Sequence, residues 1–369
     1  MMKLQCHIIG KVVGVSLLLF QLMGLTEAPG SMAQVRQAAA GGTFNTQTEL
    51  LHCVAFGPYV GHLNPDTGPH PEPELIDTLL DIIVNQTDFR CIMTYGMLNG
   101  LDYTFEAASA RGIKVIAIIW LDHPLKPNQN ERSIAEGIRL AHKYSDTIIR
   151  LSCGSEYRNR HGNPNDPTNY DPVFTQTVRN CINQLREAGV PQPITSIDTW
   201  WKWCNEAWRP CKRWDLANDV DWIGVNVYPW WENRFSALFP CTPVANAAQF
   251  HLDRLRDVAE TYPDKEIVLT EFGWPAGPEE YKELPNEHTK QRCNGAIAGK
   301  EHQRRVLEET LTKLDQAGVS RVVFEAFHEG NWKAVKERRP VGSFWGIIEV
   351  SPTVSGRIRL EARTDQNGT

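Results

Sequence analysis

The sequence predicts a single-domain (β/α)₈ TIM barrel, and three observations carry that expectation. Short apolar runs alternate with segments of helical periodicity between residues 51 and 327, eight of the former in all. Several of these runs, 114–121 above all, are apolar at nearly every position, as strands covered on both faces must be. No glycine-rich phosphate turn follows the first run, which argues against a doubly wound open sheet.

Each element has its own signal. The first strand covers 51–60 and leads into a loop over 61–73 rich in Pro, Gly and His. A helix over 74–85 repeats Leu75, Leu79, Ile82 and Ile83 at helical spacing. The second strand is 89–95. The helix over 101–111 ends at Gly112, the position of a C-terminal glycine cap. The third strand is 114–121, followed by a helix over 133–144 and a fourth strand over 148–156. Asp171 opens an amphipathic helix through Val173, Val178, Ile182 and Leu185, closed by Gly189. The fifth strand, 194–197, runs into Asp198-Thr199-Trp200-Trp201, and the sixth is 220–228. A helix over 250–262, the seventh strand over 267–271, a helix over 302–316 and the eighth strand over 321–327 complete the set.

Outside residues 51–350 the chain changes character. Lys3 and Lys11 precede an apolar run over 12–25, too short for a membrane span, and Ser31 and Ala33 then form a small-residue cleavage site. Residues 1–33 therefore read as a signal peptide, 34–50 as a small, polar linker and 351–369 as a polar C-terminal tail; cleavage after Ala28 and an uncleaved anchor are the alternatives. Export places the mature chain, secreted to an extracellular or periplasmic location, where disulfides are permitted. Cys53, Cys91 and Cys153 lie in apolar strands and read as buried thiols. Cys204 and Cys211 can close a short ring, while the remaining pairing stays open.

A net charge of -6 with no basic run argues against nucleic-acid binding, and no CxxC or HExxH pattern calls for a metal or cofactor. Tryptophan is abundant, with 12 residues, several near strand ends. In that position an indole suits the apolar face of a sugar ring.

The chemistry is written at two strand ends. Residues 267–271 form an apolar run that stops on Glu271, after which Gly273 and Pro275 break the extended chain. Residues 148–156 form a second such run, ending on Glu156. Ends of strands four and seven face each other across a barrel mouth, where this fold places its catalytic groups. Retaining glycoside hydrolysis needs two carboxyls about 5–5.5 Å apart, one to attack the anomeric carbon and one to protonate the leaving oxygen. The attacking group must stay ionised and needs hydrogen-bond donors. Tyr228 on the sixth strand and Arg90 or Tyr95 on the second can supply them.

These residues resemble glycoside hydrolase family 17, the β-1,3-glucanases and glucanosyltransferases of the retaining (β/α)₈ clan. The likeness rests on Thr270-Glu271-Phe272-Gly273-Trp274-Pro275, Gly154-Ser155-Glu156, Asn226-Val227-Tyr228-Pro229 and the segment from Phe324 to Lys333. It implies Glu271 as nucleophile, Glu156 as acid/base, Tyr228 as partner of the nucleophile, and Glu329 and Lys333 as supporting site residues. Tyr95, Ser155, Trp230 and Trp274 complete the expected sugar contacts, with Trp230 and Trp231 as acceptor platforms. Two positions depart from the pattern: Ser155 stands where the clan has an asparagine, and Met93 where it has an arginine. The expected partner is a β-glucan polysaccharide or oligosaccharide. A secreted β-1,3-glucan hydrolase is the preferred reading, a glucanosyltransferase the second, and a glucan-binding barrel without activity the third.

Overall fold

The computed structural model describes residues 50–161, 171–207, 209–238, 241–352 and 358–360. Eight parallel strands close into a barrel, β1 (His52–Phe56), β2 (Cys91–Thr94), β3 (Lys114–Ile119), β4 (Ile148–Ser155), β5 (Ile194–Thr199), β6 (Trp222–Asn226), β7 (Glu266–Phe272) and β8 (Arg321–Val323), with β8 pairing back onto β1. The barrel expected from the apolar runs is therefore present.

Side chains alternate across each strand and so build two cores. Cys53, Ala55, Met93, Ile116, Ile118, Ile197, Trp222, Val268 and Val322 form an interior cluster. Val54, Phe56, Val115, Ala117 and Ile119 point outward and pack beneath the helices. Helix α1 (Pro73–Gln86) shows how the outer layer forms. It buries Ile76, Leu79, Leu80, Ile82 and Ile83 on one stripe, each worth about 1.5–3 kcal/mol when removed from water. Helices α2 (Tyr103–Ala110), α3 (Pro127–Lys143), α4 (Tyr157–His161), α5 (Asp171–Glu187), α6 (Trp200–Trp203), α7 (Pro229–Phe235), α8 (Val244–Thr261), α9 (Lys300–Ala317) and α10 (Asn331–Glu337) follow in chain order. Two of them begin earlier than apolar periodicity indicates. Pro127 starts α3 and Pro243 caps α8, because proline fits the first helical turn, which lacks an internal N–H partner anyway.

Both strands that end in a candidate carboxylate are irregular at that end. Between β6 and β7, Val225 pairs with Leu269 but Asn226 pairs with Glu271, so Thr270 is an extra residue that re-aims the glutamate. Between β4 and β5 the register likewise shifts from Ser152–Thr195 to Ser155–Ile197. Just past Glu271, Gly273 lies where a Cβ would come within 2.6 Å of Phe324 O, so only glycine lets β7 and β8 approach there.

The cysteines correct the sequence reading. Cys53 pairs with Cys91 and Cys153 with Cys181, so none of Cys53, Cys91 and Cys153 is a thiol. The first bridge joins the paired strands β1 and β2 inside the barrel and the second ties β4 to α5, proximities set by strand pairing and helix packing. Cys204 and Cys211 close the short ring, and Cys241 pairs with Cys293. Within and beside the tail, Val350–Pro352 and Ile358–Leu360 pair as antiparallel strands, β9 and β10. The expected signal peptide, 1–33, and the expected linker up to 49 lie outside the described residues. Among the described residues no helix is long and apolar enough to cross a membrane.

Candidate active site

Glu271 sits near the end of β7 and is 6% exposed. Two phenols hold it: Tyr95 Oη donates to Oε1 and Tyr228 Oη to Oε2, both at 2.9 Å. The rings are themselves braced. Phe324 meets Tyr95 edge-on at 6.3 Å and Tyr228 at 5.7 Å, and Trp345 packs on Tyr228 at 5.3 Å. Of the two donors open on β2, Tyr95 is the one in place, while Arg90 turns away to the carbonyls of Thr87 and Phe89.

Glu156 follows β4, half-buried, with two amides on its carboxyl. Asn226 Nδ2 donates to Oε1 at 3.0 Å and Asn159 Nδ2 to Oε2 at 3.1 Å. Thr270 Oγ1 donates to Asn226 Oδ1 at 2.8 Å, which fixes the amide so that its N–H faces Glu156. Asn226 is also the strand partner of Glu271, and thus links the two carboxylates. Sequence reasoning quoted Asn226 beside Tyr228 without giving it a task. Its place in β6, one alternate residue before the tyrosine, was the available signal.

Burial pushes the Glu271 carboxyl up to about 8, and the charge of Glu156 adds to this. Hydrogen bonds from Tyr228 and Tyr95 and the charge of Lys333 pull it back. Met93 is fully buried in the apolar interior cluster, at the strand position expected to hold an arginine. Ser155 is buried as well, and its carbonyl accepts from Arg160 Nε at 3.0 Å.

The cationic charge comes from β8 and α10. Lys333 Nζ bonds Glu325 Oε2 at 3.0 Å and Glu329 Oε2 at 2.8 Å, and lies 4.3 Å from the Phe324 ring. All three charged residues are at most 9% exposed, so Glu329 and Lys333 are a buried cluster and not a solvated pair. The flanking carboxylates favour the ammonium form of Lys333 and raise its pKa against the opposing effect of burial. Glu325, within the segment read from sequence but not singled out there, is pushed well up by burial.

Two expected sugar contacts are not at the surface. Trp230 and Trp274 are fully buried and meet edge-on at 5.2 Å. Their indole N–H groups are engaged with Glu283 Oε2 and Ile297 O, so neither ring offers a face to a ligand. Trp231, half-buried against Trp345 at 5.8 Å, is the member of that pair left partly accessible. On the same rim, a cavity of about 520 Å³ opens between the loop after β1 and α10, lined by His62, Asn64, Asp66, Asn331, Trp332 and Lys336 among others. Among the described residues no cluster of His, Cys, Asp and Glu could hold a metal.

Comparison with known proteins agrees with this architecture. The chain is 23% identical over 264 residues to the "Probable family 17 glucosidase SCW4" of Saccharomyces cerevisiae, covering 71% of this chain and 58% of that protein. It is 24% identical over 199 residues to the "Probable glucan endo-1,3-beta-glucosidase eglC" of Emericella nidulans, covering 51% and 40%. The chain thus spans 40 to 58% of the length of these two curated relatives. Among solved structures, the family 17 β-1,3-glucanosyltransferase from Rhizomucor miehei superposes with a TM-score of 0.59 at 17% identity, covering 81% of this chain and 93% of that one. An endo-laminarinase from Formosa gives 0.60 at 15% identity, covering 81% and 83%. These likenesses bear out the family 17 resemblance and, for the structures, the barrel fold. The model of the BtgE/BtgC glycoside hydrolase domain matches residues 53–346, and the chain therefore belongs to that family of glycoside hydrolases.

Proposed function

We propose that the protein is a secreted, retaining β-1,3-glucan hydrolase in which Glu271 is the nucleophile and Glu156 the acid/base. The observation that carries this reading is the unequal setting of two linked carboxylates. Glu271 receives two phenol donors, whereas Glu156 is half-buried and held by two amides. Burial holds the Glu271 carboxyl near 8, so the working form requires its proton to be elsewhere. A sugar developing positive charge at its anomeric carbon favours the Glu271 anion, and the two phenols stabilise it.

In the first step a Glu271 oxygen bonds to the anomeric carbon and the glycosidic C–O bond breaks. The departing oxygen takes the electron pair and the proton of Glu156. In the second step water gives a proton to Glu156 and attacks the anomeric carbon, which releases the Glu271 carboxylate. Asn226 contacts one carboxylate and neighbours the other on its strand, keeping the pair in register. Lys333 contributes positive charge near the nucleophile. Disulfides among the described residues support a location outside the reducing cytosol.

Transfer to a second sugar is the alternative. The partly accessible Trp231, beside the Trp345 that supports Tyr228, favours it as a place for an acceptor ring. Glu271→Ala with azide tests the assignment. The variant should be inactive on β-1,3-glucan and, on an activated β-glucoside, yield a glycosyl azide of inverted configuration. Full activity of that variant would refute the role of Glu271. A timed digest of β-1,3-gluco-oligosaccharides separates the two readings, since only transfer gives products longer than the substrate.

A further inference from the structure

The chain leaves β4 through a turn that is costly for a residue with a side chain. Gly154 has φ 80° and Glu156 itself φ 48°, in the left-handed region. A glutamate stays there only if its surroundings hold it. The holding groups come from β5. Glu156 N donates to Ile197 O at 2.8 Å, and two residues later Arg158 N donates to Asp198 Oδ2 at 3.1 Å. The other oxygen, Asp198 Oδ1, accepts from Thr199 N at 2.8 Å. Asp198 is fully buried and takes no part in the bond-making steps above.

We propose that Asp198 is a positioning residue for the acid/base, gripping the turn after Glu156 so that its carboxyl faces the barrel mouth. The proposal rests on the reading of Glu156 as acid/base. The two backbone donors reach different oxygens of Asp198, and an amide side chain would set its NH2 against one of them. Burial and the charge of Glu156 push the Asp198 carboxyl up to about 7, so the two acids sense one another. Arg158, Lys202 and Arg160 are the cations facing it, with Glu206 drawing off Lys202.

Asp198→Asn keeps the volume but leaves one of the two amides unmatched. Loss of a hydrogen bond to a charged group predicts a fall of about 10- to 100-fold in kcat/KM on β-1,3-glucan. An aryl β-glucoside with a good leaving group needs no proton in the first step, so its kcat/KM should fall by no more than about threefold. Azide should raise kcat on that aryl substrate and give a glycosyl azide of retained configuration. Glu156→Gln is the control and should show the same split more strongly. If it does and Asp198→Asn loses equally on both substrates, or on neither, the proposal is overturned. If Glu156→Gln shows no split, the acid/base reading fails and the proposal with it. Should the asparagine variant not fold, Asp198→Ser, which keeps one acceptor oxygen, is read by the same criterion.

Discussion

Tyr228→Phe removes one oxygen and little else. The ring is 9% exposed and packed against Phe324 at 5.7 Å and Trp345 at 5.3 Å, so phenylalanine keeps the same contacts. What disappears is the 2.9 Å bond to Glu271 Oε2. A hydrogen bond to a charged group contributes about 1.5–3 kcal/mol, which corresponds to about 10- to 150-fold in kcat/KM if the anion is the attacking species. Tyr95→Phe should cost a similar factor through Oε1. Because both phenols serve one carboxylate, the double variant should depart from the product of the single effects. The assay is steady-state hydrolysis of β-1,3-gluco-oligosaccharides, with thermal melting to confirm that the fold is intact. A Tyr228→Phe enzyme of wild-type kcat/KM would refute the view that the phenols hold the nucleophile anion.

Two further outcomes follow from burial of charge. Glu271 binds its proton more tightly folded, near 8, than its ordinary 4.5, so its stabilising contribution is complete below about 4.5 and is lost as pH rises to 8. Melting temperature should therefore fall between about pH 6.5 and pH 8, above the range where buried His251, pushed down to about 3, acts the other way, and Glu271→Gln should be the more stable protein at pH 8. Asp198, Glu232 and Glu337, each pushed up to about 7, act in the same direction and keep some of the slope in that variant. An equal slope in both proteins would count against a buried, charge-burdened Glu271. Lys333→Met leaves Glu325 and Glu329 buried without their cation, at a cost of about 3–5 kcal/mol near neutral pH that should shrink in acid. Unchanged melting at pH 7 would contradict the buried cluster.

The barrel was legible because parallel strands are buried on both faces, and their apolar runs stand out from the polar helix faces. The strand-end carboxylates and their two tyrosines were legible for a related reason: the topology gathers strand ends, so position in a strand implies position in the site. Partnerships that depend on which way a side chain turns were not. Trp230 and Trp231 are adjacent in sequence, yet one is sealed against Trp274 and the other is partly open. Cys53 and Cys91 look like core thiols until the register of β1 on β2 sets them side by side. Asn226, Glu325 and Trp345 draw their importance from contacts across the chain, to Glu156, Lys333 and Tyr228. Short helices such as α6 and α10 have too few turns to show a period.

The central claim is that Glu271 forms a covalent bond with the sugar. A 2-deoxy-2-fluoro β-glucosyl donor with a good leaving group slows the second step more than the first and should accumulate the intermediate. Proteolysis and mass spectrometry of the inactivated enzyme locate the label. One sugar on the peptide containing Glu271, lost slowly when a β-glucan acceptor is added, is the result expected here. Label on another carboxylate, or turnover with inversion and no label at all, would contradict it.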